Sequence, residues 1–396
     1  MLGSLIPLGS LNLGGWGPIR WLVEWTARNL FGVTSALVVS GSGSGDKTYD
    51  WVHALVLLKI AAAITVGWSI AARRVEHHET AQKWFRLFLR FALGTTLLSY
   101  GSAKFIPLQM PFPSLTRLLE PYGNFSPMGV LWASIGASPS YEIFTGLAES
   151  LAAVLLFIPR TTTLGALVGL GCTIEIFALN MTYDVPVKLF SFHLVAMALF
   201  LLAPDAKRLL NVLVLNRAVE PAVVPPLLRS QRANRNIWLA QLVFGAVMIA
   251  VAISNSVSAW TQFGGGAPRS PLYGVWTVAH MSIDGVELPP LVTDWNRWRR
   301  VIFDRPTMMS FQRMDDTFGN FPITIDMTAK SVALSRVEDP TWTSTLTFEQ
   351  SGADRLTLSG NMNGKKFEMR LELFPRDKFL LVSRGFHWIQ EYPFNR

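Results

Sequence analysis

The chain has 396 residues, half of them hydrophobic and only 16% charged, against roughly a quarter charged in an average soluble domain. With a mean hydropathy of +0.31, this composition excludes a disordered chain and argues against a soluble enzyme. The single cysteine, Cys172, excludes internal disulfides, CxxC redox chemistry, thiolate zinc sites and iron-sulfur clusters, each of which needs at least two thiols. The net charge of +8 fits basic loops between apolar segments, so no nucleic-acid partner is expected.

The stretch 16–39 contains Arg20, Glu24 and Arg28, which disfavour a span. They suit an amphipathic helix at the membrane interface, with Trp16, Trp21 and Trp25 among the headgroups. No basic region precedes the first apolar residues, so a cleavable signal is not expected. The run Gly41, Ser42, Gly43, Ser44, Gly45 lacks the third glycine of a dinucleotide fingerprint and the Lys-Ser/Thr of a P-loop, and reads as a connector.

Six windows then have the roughly 20 apolar residues that cross a hydrocarbon core of about 30 Å: 51–72, 84–103, 140–158, 161–180, 185–203 and 237–259. Pro107, Pro139, Pro159, Pro186, Pro204, Pro225 and Pro226 mark boundaries. Arg73, Arg74, Lys83, Arg86 and Arg90 surround the first connection, Arg160 the third, and Lys207, Arg208, Arg217, Arg229, Arg232 and Arg235 the fifth. The positive-inside rule therefore puts the odd connections in the cytoplasm and both termini outside.

Several ionisable residues fall within or beside these spans, where each costs about 2.5–3.5 kcal/mol at a helix centre unless it faces protein or water. They are Lys104, Glu142, Glu149, Glu175, Asp184, Lys188 and His193. Nearly all lie in the outer half of the bilayer in this topology. Glu142 and Glu149, seven apart, share one helix face. Two readings stay open: a polar ligand pocket opening outward between the second, third, fourth and fifth spans, or a structural network in which Lys104 and Lys188 neutralise the carboxylates. The proline-rich connection 107–139 reads as a lid over the bundle, with a short helix at 114–119 and with Gln109 and Tyr122 over the pocket. His193 reads as a hydrogen-bonded side chain, and no metal site is expected. Gly165 and Gly169 have GxxxG spacing, which suits close helix packing within the bundle or against another subunit.

After a Gly264-Gly265-Gly266 linker the pattern changes to short strands separated by Asp284-Gly285, Asp315-Asp316, Ser351-Gly352 and Asn363-Gly364. Expected strands are 275–283, 299–303, 308–314, 322–327, 332–337, 344–348, 355–358, 367–374 and 379–383. Eight or nine strands in about 120 residues fit a closed up-and-down barrel, which has no exposed edges. The segment Trp295 to Arg300 reads either as packing or as a surface for a partner or anionic lipid. The expected fold class is thus a multi-pass helical membrane bundle of about six spans, followed by an antiparallel β-barrel. Its parts are an interfacial segment (1–50), a bundle (51–210), a connection with the last helix (211–262) and the barrel (270–396).

Gly274, Trp276 and Arg384 resemble the GxW motif and closing arginine of lipocalin-like barrels, which implies that Trp276 plugs the barrel floor and Arg384 stacks over it. A second resemblance is carried by Tyr100, Gly101, Ser102, Ala103, Lys104, with Gln109, Pro111, Pro121, Tyr122, Gly123 and Ser126 to Gly129. Gly146, Glu149, Arg160 to Gly165 and Tyr183 to Leu189 extend it. These residues resemble bacterial DoxX-like membrane proteins over about residues 50–210. The resemblance implies a four-helix core in spans two to five, in a bacterial inner (cytoplasmic) membrane. It also implies a role beside a redox or oxidative-stress system. A quinone-like ligand would then contact Lys104, Glu149 and His193.

Two functions are therefore expected. One is a redox-associated membrane subunit with a quinone-like ligand and membrane or exported protein partners. The other is a non-catalytic anchor or assembly factor whose exported barrel binds a lipid or protein. Transport fits the charges, but no inverted repeat is evident.

Overall fold

A computed structural model describes residues 15–74, 78–221, 226–339 and 341–395. The chain divides into two compact units, 1–110 with 139–260, and 111–138 with 261–396.

In the first unit α1 (Gly17–Phe31) carries Pro18 in its first turn, which its fixed φ suits, and stops at Gly32, which takes a left-handed φ of +64°. Its Val23 and Ala27 pack on Tyr49, Val52 and Val56 of α2 (Thr48–Ala71), while Trp16, Trp21 and Trp25 stay exposed. This is the amphipathic helix expected there. Further long helices follow: α3 (Glu79–Phe105), α6 (Pro139–Phe157), α7 (Thr162–Thr182), α8 (Lys188–Leu202), the short α9 (Ala206–Leu213) and α10 (Gln231–Phe263). Among the described residues, five stretches are long and apolar enough to cross a membrane: Thr48–Ala71, Pro139–Phe157, Pro159–Thr182, Lys188–Leu213 and Gln231–Phe263. Pro204 does not end α8 sharply, because a single 3-10 turn at Ala203–Asp205 carries the helix on into α9. Pro225 lies outside the described residues.

The second expected span, α3, falls short of those five in apolar composition because Lys83, Arg86, Arg90 and Lys104 sit on it. Arg86, Arg90 and Lys104 reach partners inside the protein, whereas Lys83 pairs with the exposed Glu79 one turn earlier. Arg86 donates to Leu201 O at 2.9 Å, and buried Arg90 donates to Gln241 and, at 3.3 Å, to Thr162. The bundle core joins Leu93 and Leu97 of α3, Ala152 and Leu156 of α6, Ala166 of α7, and Ala198 and Leu201 of α8, with Met248 and Ala252 of α10. Small residues set the approach of the helices. A Cβ on Gly146 would lie 2.7 Å from Gly101 O, and one on Gly165 would lie 2.7 Å from Leu156 N. The GxxxG spacing thus starts a contact inside the bundle, of α7 against α6.

The second unit holds β1 (Gly274–Ile283), β2 (Val286–Glu287), β3 (Trp298–Arg305), β4 (Met308–Arg313), β5 (Phe318–Asp326), β6 (Ser331–Ser335), β7 (Thr343–Gln350), β8 (Arg355–Met362) and β9 (Lys365–Phe374). Antiparallel pairing runs in chain order from β3 to β9. It closes where β1 pairs with both β3 and β9, from Val275 opposite Phe374 to Ile283 opposite Phe367, giving an eight-stranded barrel with β2 as a short tab. Alternation with period two points Trp276, Val301, Phe303, Leu346, Leu358 and Met369 inward. Both Asp284-Gly285 and Asn363-Gly364 take positive φ at the two turn positions, the backbone that tight hairpins require.

Two expectations are corrected here. Residues 379–383 form no strand: Pro375 ends β9, a turn follows, and Leu380–Ser383 is helical. The edge such a strand would have used is already occupied by the β1–β9 pairing. The connection 111–138, expected to belong with the bundle, groups with the barrel unit. It contains α4 (Leu115–Leu119) and α5 (Pro127–Gly136). Leu115, Leu118 and Leu119 share one helix face and pack on Val275 and Ile302, which point outward between inward-facing neighbours on β1 and β3.

Candidate functional site

Within the bundle, the one-face spacing of Glu142 and Glu149 is realised on α6. Both are buried, and Glu149 forms an ion pair with Lys104 of α3 in which both side chains are almost fully enclosed. Glu142 accepts the Met110 N–H at 2.8 Å and so fastens the turn after α3. Glu149 Oε2 and the hydroxyls of Ser99 and Ser150 are buried without a hydrogen-bond partner.

Of the other expected site residues, Gln109 donates its backbone N–H to Glu142 and Glu175 stands close enough to act electrostatically on Glu149, whereas Asp184, Lys188, His193 and Tyr122 have other surroundings. Lys188 binds Asp184 at 2.8 Å and stands 3.9 Å from Asp46. His193 is exposed, with Nδ1 2.7 Å from Leu189 O on its own helix. Glu175 is exposed on α7. Gln109 lies in the turn after α3, while Tyr122 belongs to the barrel unit, where it is 73% exposed beside Phe125.

A residue the sequence did not single out is Asp46. Its two oxygens accept the N–H groups of Lys188 and Leu189 at 2.8 and 2.9 Å, capping α8 from 142 residues away. A carboxylate there satisfies otherwise orphaned donors and opposes the helix dipole. Asp46→Ala is expected to lower bundle stability by about 1–2 kcal/mol, read as the thermal midpoint in detergent, and Asp46→Asn should recover much of the loss.

In the barrel, Trp276 is buried with Nε1 donating to Leu272 O at 3.0 Å, and a Cβ on Gly274 would meet Leu373 Cδ1 at 2.6 Å. The first two residues of the expected motif thus close one end. Arg384 does not cover them: it follows α11 (Leu380–Ser383), binds His387 and Gln390, and lies over Phe394 at 4.6 Å.

The other end is open. A cavity of about 690 Å³ is formed where β1, β4 and β8 end and β3, β5 and β9 begin. Its floor is a run of stacked rings: Trp298 on Phe311 at 4.1 Å, Phe311 on Phe321 at 5.4 Å, and Phe367 beside Trp298. Its rim carries Arg313, Arg336 and Lys365 against Glu338. The aromatic-basic segment supplies part of this mouth. Trp295 is exposed beneath Arg313, and Trp298 is in the core. Arg297 is buried, donating to Val278 O beside a bulge in β1. Burial pushes the Arg297 and Arg300 guanidinium groups down from their ordinary range.

Against known proteins, no family model and no solved structure matches the chain. The uncharacterized protein YwoB of Bacillus subtilis (strain 168) is 36% identical over 128 residues, which is 79% of that protein and 32% of this chain. The chain belongs to the YwoB family. Because about two thirds of the chain lies outside that match, the YwoB relationship covers only part of the two-unit architecture.

Proposed function

We propose that this YwoB-family chain is an integral membrane binding protein. Its helices anchor it in a bacterial inner membrane, and its barrel, on the extracytoplasmic side, captures an amphipathic lipid-like molecule. The observation that carries this reading is the open barrel mouth, with an aromatic floor and a mostly basic rim. Apolar walls with a few convergent polar groups are the general form of a small-ligand site, and the cationic rim suits an acidic head. The bundle charges support an anchoring role, since Lys104 with Glu149, Arg86 with Asp205, and Lys188 with Asp184 are paired. The outward placement rests on topology. The chain passes between the units after α3, before α6 and in the last turn of α10, and alternate threading through a membrane would bring those three helix ends to one face, which supports this reading.

The test is titration of the full chain in nanodiscs with a dansylated long-chain acid, following energy transfer from tryptophan. Saturable binding is expected, weakened about tenfold by Arg336→Glu with Lys365→Glu, because charge-assisted contacts to the head are lost. Affinity unchanged by that pair, or no saturable binding, removes the barrel mouth as the site.

A second reading follows the DoxX-like resemblance and places a quinone-like ligand beside Lys104 and Glu149. It is favoured by Glu149 Oε2, which is buried and unpartnered. One quinone extracted per purified chain, and lost in Lys104→Gln, supports it; quinone-free protein excludes it.

A further inference from the structure

The barrel unit contains a second cavity, of about 570 Å³, at the end opposite the open mouth. Its walls come from the connection 111–133, from the residues directly after α10, from the end of β3 and from the turn after β9. Four arginines face it, Arg117, Arg269, Arg305 and Arg376, with Asp304 as the acidic residue of the lining.

The arginines are held in place mainly by aromatic and backbone contacts, so most of their charge is not cancelled. Arg117 pairs with Glu120 and lies over Phe125 at 4.0 Å. Arg269 lies over Tyr273 at 4.8 Å, and Arg376 over Phe112 at 5.7 Å. Arg305 donates to the carbonyls of Phe263 and Gly264 at 3.0 and 3.2 Å. Among the described residues, Arg269, Arg305 and Arg376 form no ion pair. Asp304 accepts the Leu115 N–H at 3.4 Å, so part of its capacity is used in holding α4.

Guanidinium forks lining one cavity with few carboxylates match a polyvalent oxyanion, and phosphate above all, because its oxygens accept paired N–H donors. Position in the chain favours a phosphate carried on a lipid. Gly264 directly follows α10, Pro111 lies six residues beyond α3, and the cavity also borders α5, a short apolar helix whose following residues lead into α6.

We propose that this arginine-lined cavity is a binding site for a phosphate group, as borne by an anionic phospholipid or by free phosphate. It stands on different residues from the barrel-mouth reading and does not depend on it.

The test is native mass spectrometry of the full chain in a neutral detergent, supplied with phosphatidylglycerol, with the diacylglycerol of the same acyl chains, or with inorganic phosphate. The comparison protein is the double variant Arg269→Ala with Arg376→Ala, two exposed positions whose loss should leave the fold intact. Retention of phosphatidylglycerol over diacylglycerol, weakened about tenfold in the variant, supports the site with a lipid source. Retention of inorganic phosphate with the same dependence supports it with a soluble source. Equal retention by both proteins, or equal retention of the two lipids with no bound phosphate, overturns it. The dansylated acid distinguishes the two sites, since its binding should be unchanged in this variant.

Discussion

Lys104→Ala is expected to destabilise the bundle by about 3–5 kcal/mol, because it leaves Glu149 as a buried charge without its counter-ion. The two side chains are 9% and 3% exposed, so water cannot take over the role of the lysine. Paired replacement by apolar residues of similar size, Lys104→Met with Glu149→Leu, removes both desolvation costs and should recover most of the loss. The measurement is the rate at which Cys172, half-buried on α7, reacts with a maleimide as the detergent-solubilised protein is warmed. Early reaction in the single variant and late reaction in the double variant are the expected pattern. A single variant as resistant as the parent would show that the pair does not hold α3 to α6.

The second large effect is expected in the barrel. Trp276→Ala should cost about 3–5 kcal/mol, the range for emptying a buried aromatic site. The indole fills the closed end among Leu272, Val301 and Leu371, and its N–H satisfies the Leu272 carbonyl. Trp295→Ala, at a position 61% exposed in the mouth, is the matched control and should change stability by no more than about 0.5 kcal/mol. Limited proteolysis of the full chain reads the difference, with cleavage confined to the barrel unit in Trp276→Ala. Equal resistance of the two variants would mean that this end of the barrel relaxes around the missing ring.

The helices were legible because a membrane-length apolar run has few alternatives: a helix lies at each of the six expected windows, although α3 is not apolar enough to count among the five membrane-length stretches and the fifth expected span runs on through Pro204 to Leu213. Strands were legible from alternation and from turn pairs such as Asn363-Gly364, whose backbone few other residues adopt. The expectation of a strand at 379–383 failed because β-branched and apolar content does not reveal that the sheet has already closed. Arg384 failed for a related reason, since its local partners His387, Gln390 and Phe394 are as available in sequence as Trp276 is remote.

For the site, charge within apolar spans singled out Lys104, Glu142 and Glu149, which are buried, on the same footing as Glu175 and His193, which are exposed. An intramembrane charge reads the same in sequence whether its helix face meets protein or the outside. Asp46, the Arg90–Gln241 contact and the four-arginine cavity each join segments far apart in the chain, and no local pattern announces them.

What the sequence determined by itself was the division into apolar helices and a strand-rich domain, because residue periodicity and turn chemistry act over a few neighbours. The tertiary structure alone decided that residues 111–138 belong to the barrel unit, which charges neutralise one another, and where the two barrel cavities lie. Those outcomes depend on close packing and on pairing of charges across long chain separations, which composition and spacing do not encode.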